Sequence, residues 1–335
     1  MIRLVQLGST VEGRRVAIVD EPRLRLLGSF ASVYDCARAA AAGGKSLEEA
    51  ATGDLGDESL DYAPIYDGQS TWRLLPPIDH PRGPEFCLVS GTGLTHRKSA
   101  ANRDAMHQAT PQPVTVSDSM RIYQLGAEGG RPGAGEIGAQ PEWFYKGDGR
   151  VLRGHGDALE IPEFADDGGE EAEVAGIYVI GADGSPLRLG FAAGNEFSDH
   201  VMERKNYLYL APSKVRQCAI GPEIAIGAEF ASLEGHVAVE RTGETVWSAA
   251  IATGEANMVH SLANLEHHHF KYPEHRVPGS VHVHFFGADA FSFGDGVRLQ
   301  DGDTMAIRWN ALGRPLRNCA RVPKSGSRLW RVRAL

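Results

Sequence analysis

Apolar and polar positions alternate along Arg3–Leu7 and Arg15–Val19, the period-2 pattern of half-buried strands. The spacing then shifts and predicts a helix over Ser32–Ala42 that stops at Gly43-Gly44. Tyr62–Tyr66 and Trp72 lead into Leu74–Pro84, where four prolines hold the chain extended and remove backbone donors. A domain boundary is expected there, with a small α/β domain over residues 1–78 and a larger one over residues 79–335. Beyond it, β-type runs broken by Gly and Asp recur at Phe86–Ser90, Glu173–Ile180, Leu187–Phe191, Leu208–Leu210, His236–Arg241, Ser280–Phe286 and Met305–Trp309. Helices are expected over Ala100–His107 and Asn257–Phe270; the second sets Met258, Leu262, Leu265 and His269 on one face. Many strands with few helices predict the α+β class rather than a doubly wound parallel sheet.

Composition excludes several partners. The 335 residues are 42% hydrophobic and 23% charged, ample for a sizeable core. The formal net charge is -9 and the basic residues are scattered, so nucleic acid is not an expected partner. No apolar run reaches the length of a membrane span, and the first twenty residues alternate like a strand, so a cytoplasmic protein is expected. Cys36, Cys87, Cys218 and Cys319 form no CxxC pair and are read as buried free thiols.

The chemistry concentrates in Asp166–Ile180, an acidic head that runs directly into an apolar strand. On a strand Glu171 and Glu173 point to one face, and carboxylates crowded there repel unless a cation joins them. Glu170 precedes them and is expected to point away. A second polar turn, Gly194–His200, supplies Glu196 and Asp199; Lys214 and Gly221-Pro222-Glu223 follow. Oxygen ligands without a nearby cysteine select Mg²⁺, with Mn²⁺ or Ca²⁺ as alternatives, over zinc. His267-His268-His269 on a helix diverge by about 100° each, so they are read as surface or interface residues. His282 and His284 share a strand face and are read as packing beside the site or touching substrate rather than as a second metal site.

Glu171-Ala-Glu173, Asn195-Glu-Phe-Ser198, Lys214 and Gly221-Pro222, together with Leu88–His96, Gly254–Met258, Gly279–Val281 and Leu299–Asp303, resemble the fumarylacetoacetate hydrolase superfamily over about residues 86 to 320. The sugar-acid branch, with its 2-keto-3-deoxy-pentonate dehydratases and diketo-acid hydrolases, is the most similar. The resemblance implies a small N-terminal α/β domain plus a β-rich catalytic domain, a mixed β-sandwich roll, and a homodimer. It implies metal ligands Glu171, Glu173 and Glu196, catalytic Lys214 and His96, and substrate contacts from Thr92, Gly93, Ser198, Asp199 and Glu223. Two positions depart from the family pattern: Glu196 stands where Asp is usual, which leaves Asp199 as a competing ligand, and Ser99 stands where hydrolytic members carry a Glu. The implied activity is dehydration of a 2-keto-3-deoxy sugar acid, with Lys214 binding the substrate carboxylate or acting as a base of lowered pKa. Hydrolysis of a 2,4-diketo-3-deoxy acid and a non-catalytic sugar-acid binding protein are the alternatives.

Overall fold

Every residue of the strand Ala172–Ile180 is buried, and the strand divides its side chains between two cores. Ala175, Ile177 and Val179 pack with Val33, Cys36 and Ala37 of the helix Val33–Ala42. Val174, Tyr178 and Ile180 pack the opposite way, with Phe191, Val237, Ile307 and Trp309. A strand covered on both faces needs a layer on each, and the molecule supplies a helix layer on one side and a second sheet on the other. The computed structural model describes residues 1–107, 117–323 and 326–335. It is a mixed α and β fold with two mixed sheets, as the α+β expectation requires in outline.

The large sheet runs in the order Leu55–Asp61, Arg23–Leu27, Gly13–Asp20, Ile2–Ser9, Ile224–Ile226, Pro186–Asn195, Ala172–Ile180, Val281–Phe285, Cys87–Gly93 and Glu142–Asp148. Its hydrogen bonding is continuous across residue 78, because Ile2–Ser9 pairs with Ile224–Ile226. The second sheet orders Glu244–Thr253, Leu233–Arg241, Thr304–Trp309, Leu316–Arg321 and Ala158–Glu160. Trp309 ties the two together, its Nε1 donating to the Glu173 carbonyl at 2.9 Å. Among the described residues no helix is long and apolar enough to cross a membrane.

Three expectations change. Leu208–Leu210 is helical: Asn206 caps the turn at Leu208 N, and a short helix, Leu210–Lys214, follows. The helix expected from Asn257 begins only at Leu262, because Ser261 accepts the Asn264 N–H as its N-cap. Cys319 is partly exposed, whereas Cys36, Cys87 and Cys218 are buried thiols whose pKa burial raises.

Candidate metal and acid–base site

Antiparallel pairing brings together carboxylates that lie far apart in sequence. Ala172 faces Asn195 and Glu173 faces Gly194, so Glu196, one residue beyond its strand, lies beside Glu171, one residue before its own. The Glu196 N–H donates to the Glu171 carbonyl at 3.0 Å. Oxygens of Glu171, Glu173 and Glu196 all lie within 4.8 Å of one another, and the three side chains are buried. Glu170 points elsewhere, accepting from Ser292 N and Oγ at 2.6 and 2.8 Å.

Cations flank the cluster unevenly. Lys214 Nζ donates to Glu171 at 2.7 Å, Glu196 at 2.6 Å and Ser198 Oγ at 2.9 Å, while Ser198 Oγ donates to Glu196 at 2.7 Å. Lys146 donates to the other oxygen of Glu196 and, at 2.9 Å, to the Phe197 carbonyl. His200 Nε2 donates to Glu171 at 3.0 Å, and its ring stacks on Phe291. Glu173 takes the Gly287 N–H at 2.7 Å. Burial, then Glu196 and Glu171, push the Glu173 pKa well above the usual carboxylate value. Burial would also raise Glu171, but Lys214 and His200 outweigh it and hold that pKa well below the ordinary value.

Burial would lower Lys214, yet the charges of Glu171 and Glu196 outweigh it and raise its pKa. The expected depressed lysine is thus replaced by a firmly held ammonium. A divalent cation on the same carboxylates would act in the opposite direction.

Arg103, Glu142 and Glu203 complete the surroundings. Five buried carboxylates, Glu142, Glu171, Glu173, Glu196 and Glu203, face three fixed cations, Arg103, Lys146 and Lys214. The hard oxygen donor set suits Mg²⁺. The cluster therefore fits a bound divalent cation, and among the described residues it is the group of three or more potential ligands that converge this closely. The adjoining cavity, about 20 Å³, has room for an ion or a water. A larger open groove of about 730 Å³ lies between the helix Val33–Ala42 and the turn Gly181–Ser185, but its charged groups, Lys45, Glu48, Asp183 and Arg188, include no convergent ligand set.

The other expected site residues separate. Gly93 lines the cavity and Ser198 belongs to the cluster. Thr92 is turned to the opposite strand face, where its Oγ1 meets His284 Nε2 at 2.7 Å. His96 is held between Thr95 and Thr253, at 2.9 and 3.0 Å, and burial lowers its pKa to about 4, so it is a neutral ring with both nitrogens engaged by hydroxyls. Asp199 caps the helix His200–Lys205 and pairs with buried Arg216 at 3.1 Å, which removes it as a ligand candidate. Glu223 is taken up by Tyr62, Arg3 and the Arg314 N–H.

Sequence reasoning missed Lys146, His200 and the Arg103 triad. Lys146 had a signal: Glu142, Phe144 and Lys146 share the buried face of one strand, an anomalous place for lysine.

His282 and His284 do share a face, but they pack against His269, which is buried rather than on the surface. Trp143 Nε1 donates to His269 Nδ1 at 3.2 Å, so His269 Nε2 carries the proton and donates to His282 Nδ1 at 3.0 Å. A second proton on Nδ1 of either ring would point at an N–H that already donates there, and burial lowers His282 and His284 to about 3. The unfolded chain takes up these protons near pH ~6.5 and the folded chain does not, so this stability is present above that pH and is lost progressively toward pH ~3. The urea midpoint is expected to fall between about pH 7 and about pH 5, and His284→Gln to lessen that dependence. An equal pH dependence in the variant would show that the buried rings do not carry it.

No family model matches the sequence, and no curated protein matches it. Solved structures do match. One is 2-keto-3-deoxyarabinonate dehydratase, at TM-score 0.71 and 19% identity, over 96% of this chain and 100% of that one. A second is 2-keto-3-deoxy-D-arabinonate dehydratase complexed with magnesium and 2,5-dioxopentanoate, at TM-score 0.70, 18% identity and the same coverage. A third is 2-hydroxyhepta-2,4-diene-1,7-dioate isomerase from Mycobacterium marinum, at TM-score 0.58 and 17% identity, over 97% of this chain and 100% of that one. The chain shares the fold of these solved structures, the 2-keto-3-deoxyarabinonate dehydratase among them.

Proposed function

We propose that this chain, sharing its fold with 2-keto-3-deoxyarabinonate dehydratase, is a divalent-metal-dependent lyase that removes water from a 2-keto-3-deoxy sugar acid, a pentonate that yields a semialdehyde. The observation that carries the reading is the buried cluster Glu171, Glu173 and Glu196, with Lys214 paired to two of its three members. A divalent cation held by these three glutamates would supply Lewis-acid polarisation of adjacent carboxylate and ketone oxygens, as an enolate requires.

The chain's own groups do the rest. Glu171 and Glu196 fix the Lys214 ammonium, and Ser198 braces it, so Lys214 is the group positioned to carry a proton or hold the substrate carboxylate. His200, stacked on Phe291, fixes the orientation of Glu171. A sugar acid is larger than the present cavity, whose wall includes Leu94, Ser99 and Arg103, the last anchored between Glu142 and Glu203. The wall bears against hydrolysis: Ser99, in place of the family's hydrolytic glutamate, donates its hydroxyl to the His96 carbonyl at 3.1 Å, and both nitrogens of the His96 ring are engaged by hydroxyls.

With Mg²⁺ and a 2-keto-3-deoxy-pentonate, the protein is expected to release an aldehyde; EDTA abolishes the activity and excess Mg²⁺ or Mn²⁺ restores it. Pyruvate with a second acid as the products would replace dehydration by the hydrolytic reading. Full activity in EDTA would remove the metal from the reaction.

A further inference from the structure

The cavity wall facing Glu171 and Glu173 carries Arg103 and Glu203. Arg103 Nη1 donates to both oxygens of Glu142, at 2.9 and 2.8 Å, and Arg103 Nε lies 2.6 Å from Glu203 Oε1. All three side chains are buried. The missing side chain of Gly93 gives Glu142 its place, since a Cβ there would stand 1.9 Å from Glu142 Oε2. One guanidinium is shared by two carboxylates on this wall, and His200 lines the same cavity. Such an arginine is not free to clamp an anion, because withdrawing it strands two buried carboxylates.

We propose that the Arg103–Glu142–Glu203 triad makes the site select 2-keto acids whose far end is uncharged and reject dicarboxylates of the same length. The inference rests on the metal-dependent reading above, which seats the keto-acid head at the three glutamates; the tail then lies against Arg103 and Glu203, which line the same cavity. A second carboxylate arriving there meets Glu203 in a low-dielectric cavity, where like charges repel strongly. A hydroxyl instead donates to Glu203.

Calorimetric titration in Mg²⁺ with 2-oxopentanoate and 2-oxoglutarate, equal in carbon number and different at the terminal group, tests this directly on the unaltered protein. 2-Oxopentanoate is expected to bind at least ~10-fold more tightly, as a like-charge contact demands. Glu203→Gln removes the carboxylate that a second anionic group would meet and should bring the two affinities within ~3-fold; Glu142→Gln, which leaves Arg103 to Glu203 alone, serves the same purpose if the first variant does not fold. Equal or tighter binding of 2-oxoglutarate by the unaltered protein overturns the proposal, as does an unchanged ratio in either folded variant. Binding of neither acid, or binding indifferent to EDTA, overturns the metal-dependent reading and this inference with it, so the two failures are distinguishable.

Discussion

Glu173→Gln is expected to lower turnover by at least ~100-fold, about 2.7 kcal/mol at 1.36 kcal/mol per tenfold, without lowering the melting temperature of the metal-free protein. The asymmetry of the cluster requires both halves of that result. Glu171 and Glu196 each have a lysine partner, whereas Glu173 has two carboxylate neighbours and the Gly287 N–H. Glutamine keeps the acceptor for Gly287 and relieves the repulsion, so the fold loses nothing. The cation loses the one ligand that no lysine competes for. Glu171→Gln and Glu196→Gln should also cost turnover, whereas Asp199→Asn should cost far less, since its carboxylate is committed to Arg216 and the helix cap. Wild-type turnover in Glu173→Gln would dissolve the proposed site.

The second large effect is on stability. Lys146 and Glu196 are both fully buried, and removing one partner leaves a charge that water cannot reach. Lys146→Met is expected to destabilise the protein by about 3 kcal/mol, the lower end for a broken buried pair, because Lys214 and Ser198 still hold the second oxygen of Glu196. The double variant Lys146→Met/Glu196→Gln should recover much of that loss. Urea unfolding of both proteins at one pH decides it: strictly additive losses, or no loss in the single variant, would show that the pair is not coupled.

Much of the site was legible because it obeys strand periodicity. Glu171 and Glu173 fall on one face by the rule of two, and Glu196 follows because the intervening strands form a hairpin. What failed was the direction of side chains that belong to motifs only by adjacency. Thr92 and Gly93 are neighbours in sequence, and the pleat sends them to opposite faces. His96 is oriented by Thr253, which arrives from the other sheet, so no local pattern specifies it. Glu223 follows Gly221-Pro222, yet the N-terminal strands supply its partners Arg3 and Tyr62. Leu208–Leu210 was too short a run to separate a strand from a turn of helix.

The hairpin that carries Glu173 and Glu196 also works as a ruler. Its graduations are the paired residues, its zero lies at the open end where Ala172 faces Asn195, and its free end is the turn Gly181–Ser185. A one-residue slip at the open end would turn Glu173 to the apolar core and Val174 to the cluster. The register irregularity between Ile177 and Tyr178 stands on the turn side of the ligands, where an extra residue is absorbed before it reaches them. Length is therefore free to vary near residues 181–185 and is fixed between Glu171 and Gly176, so insertions and deletions in this protein divide at that irregularity.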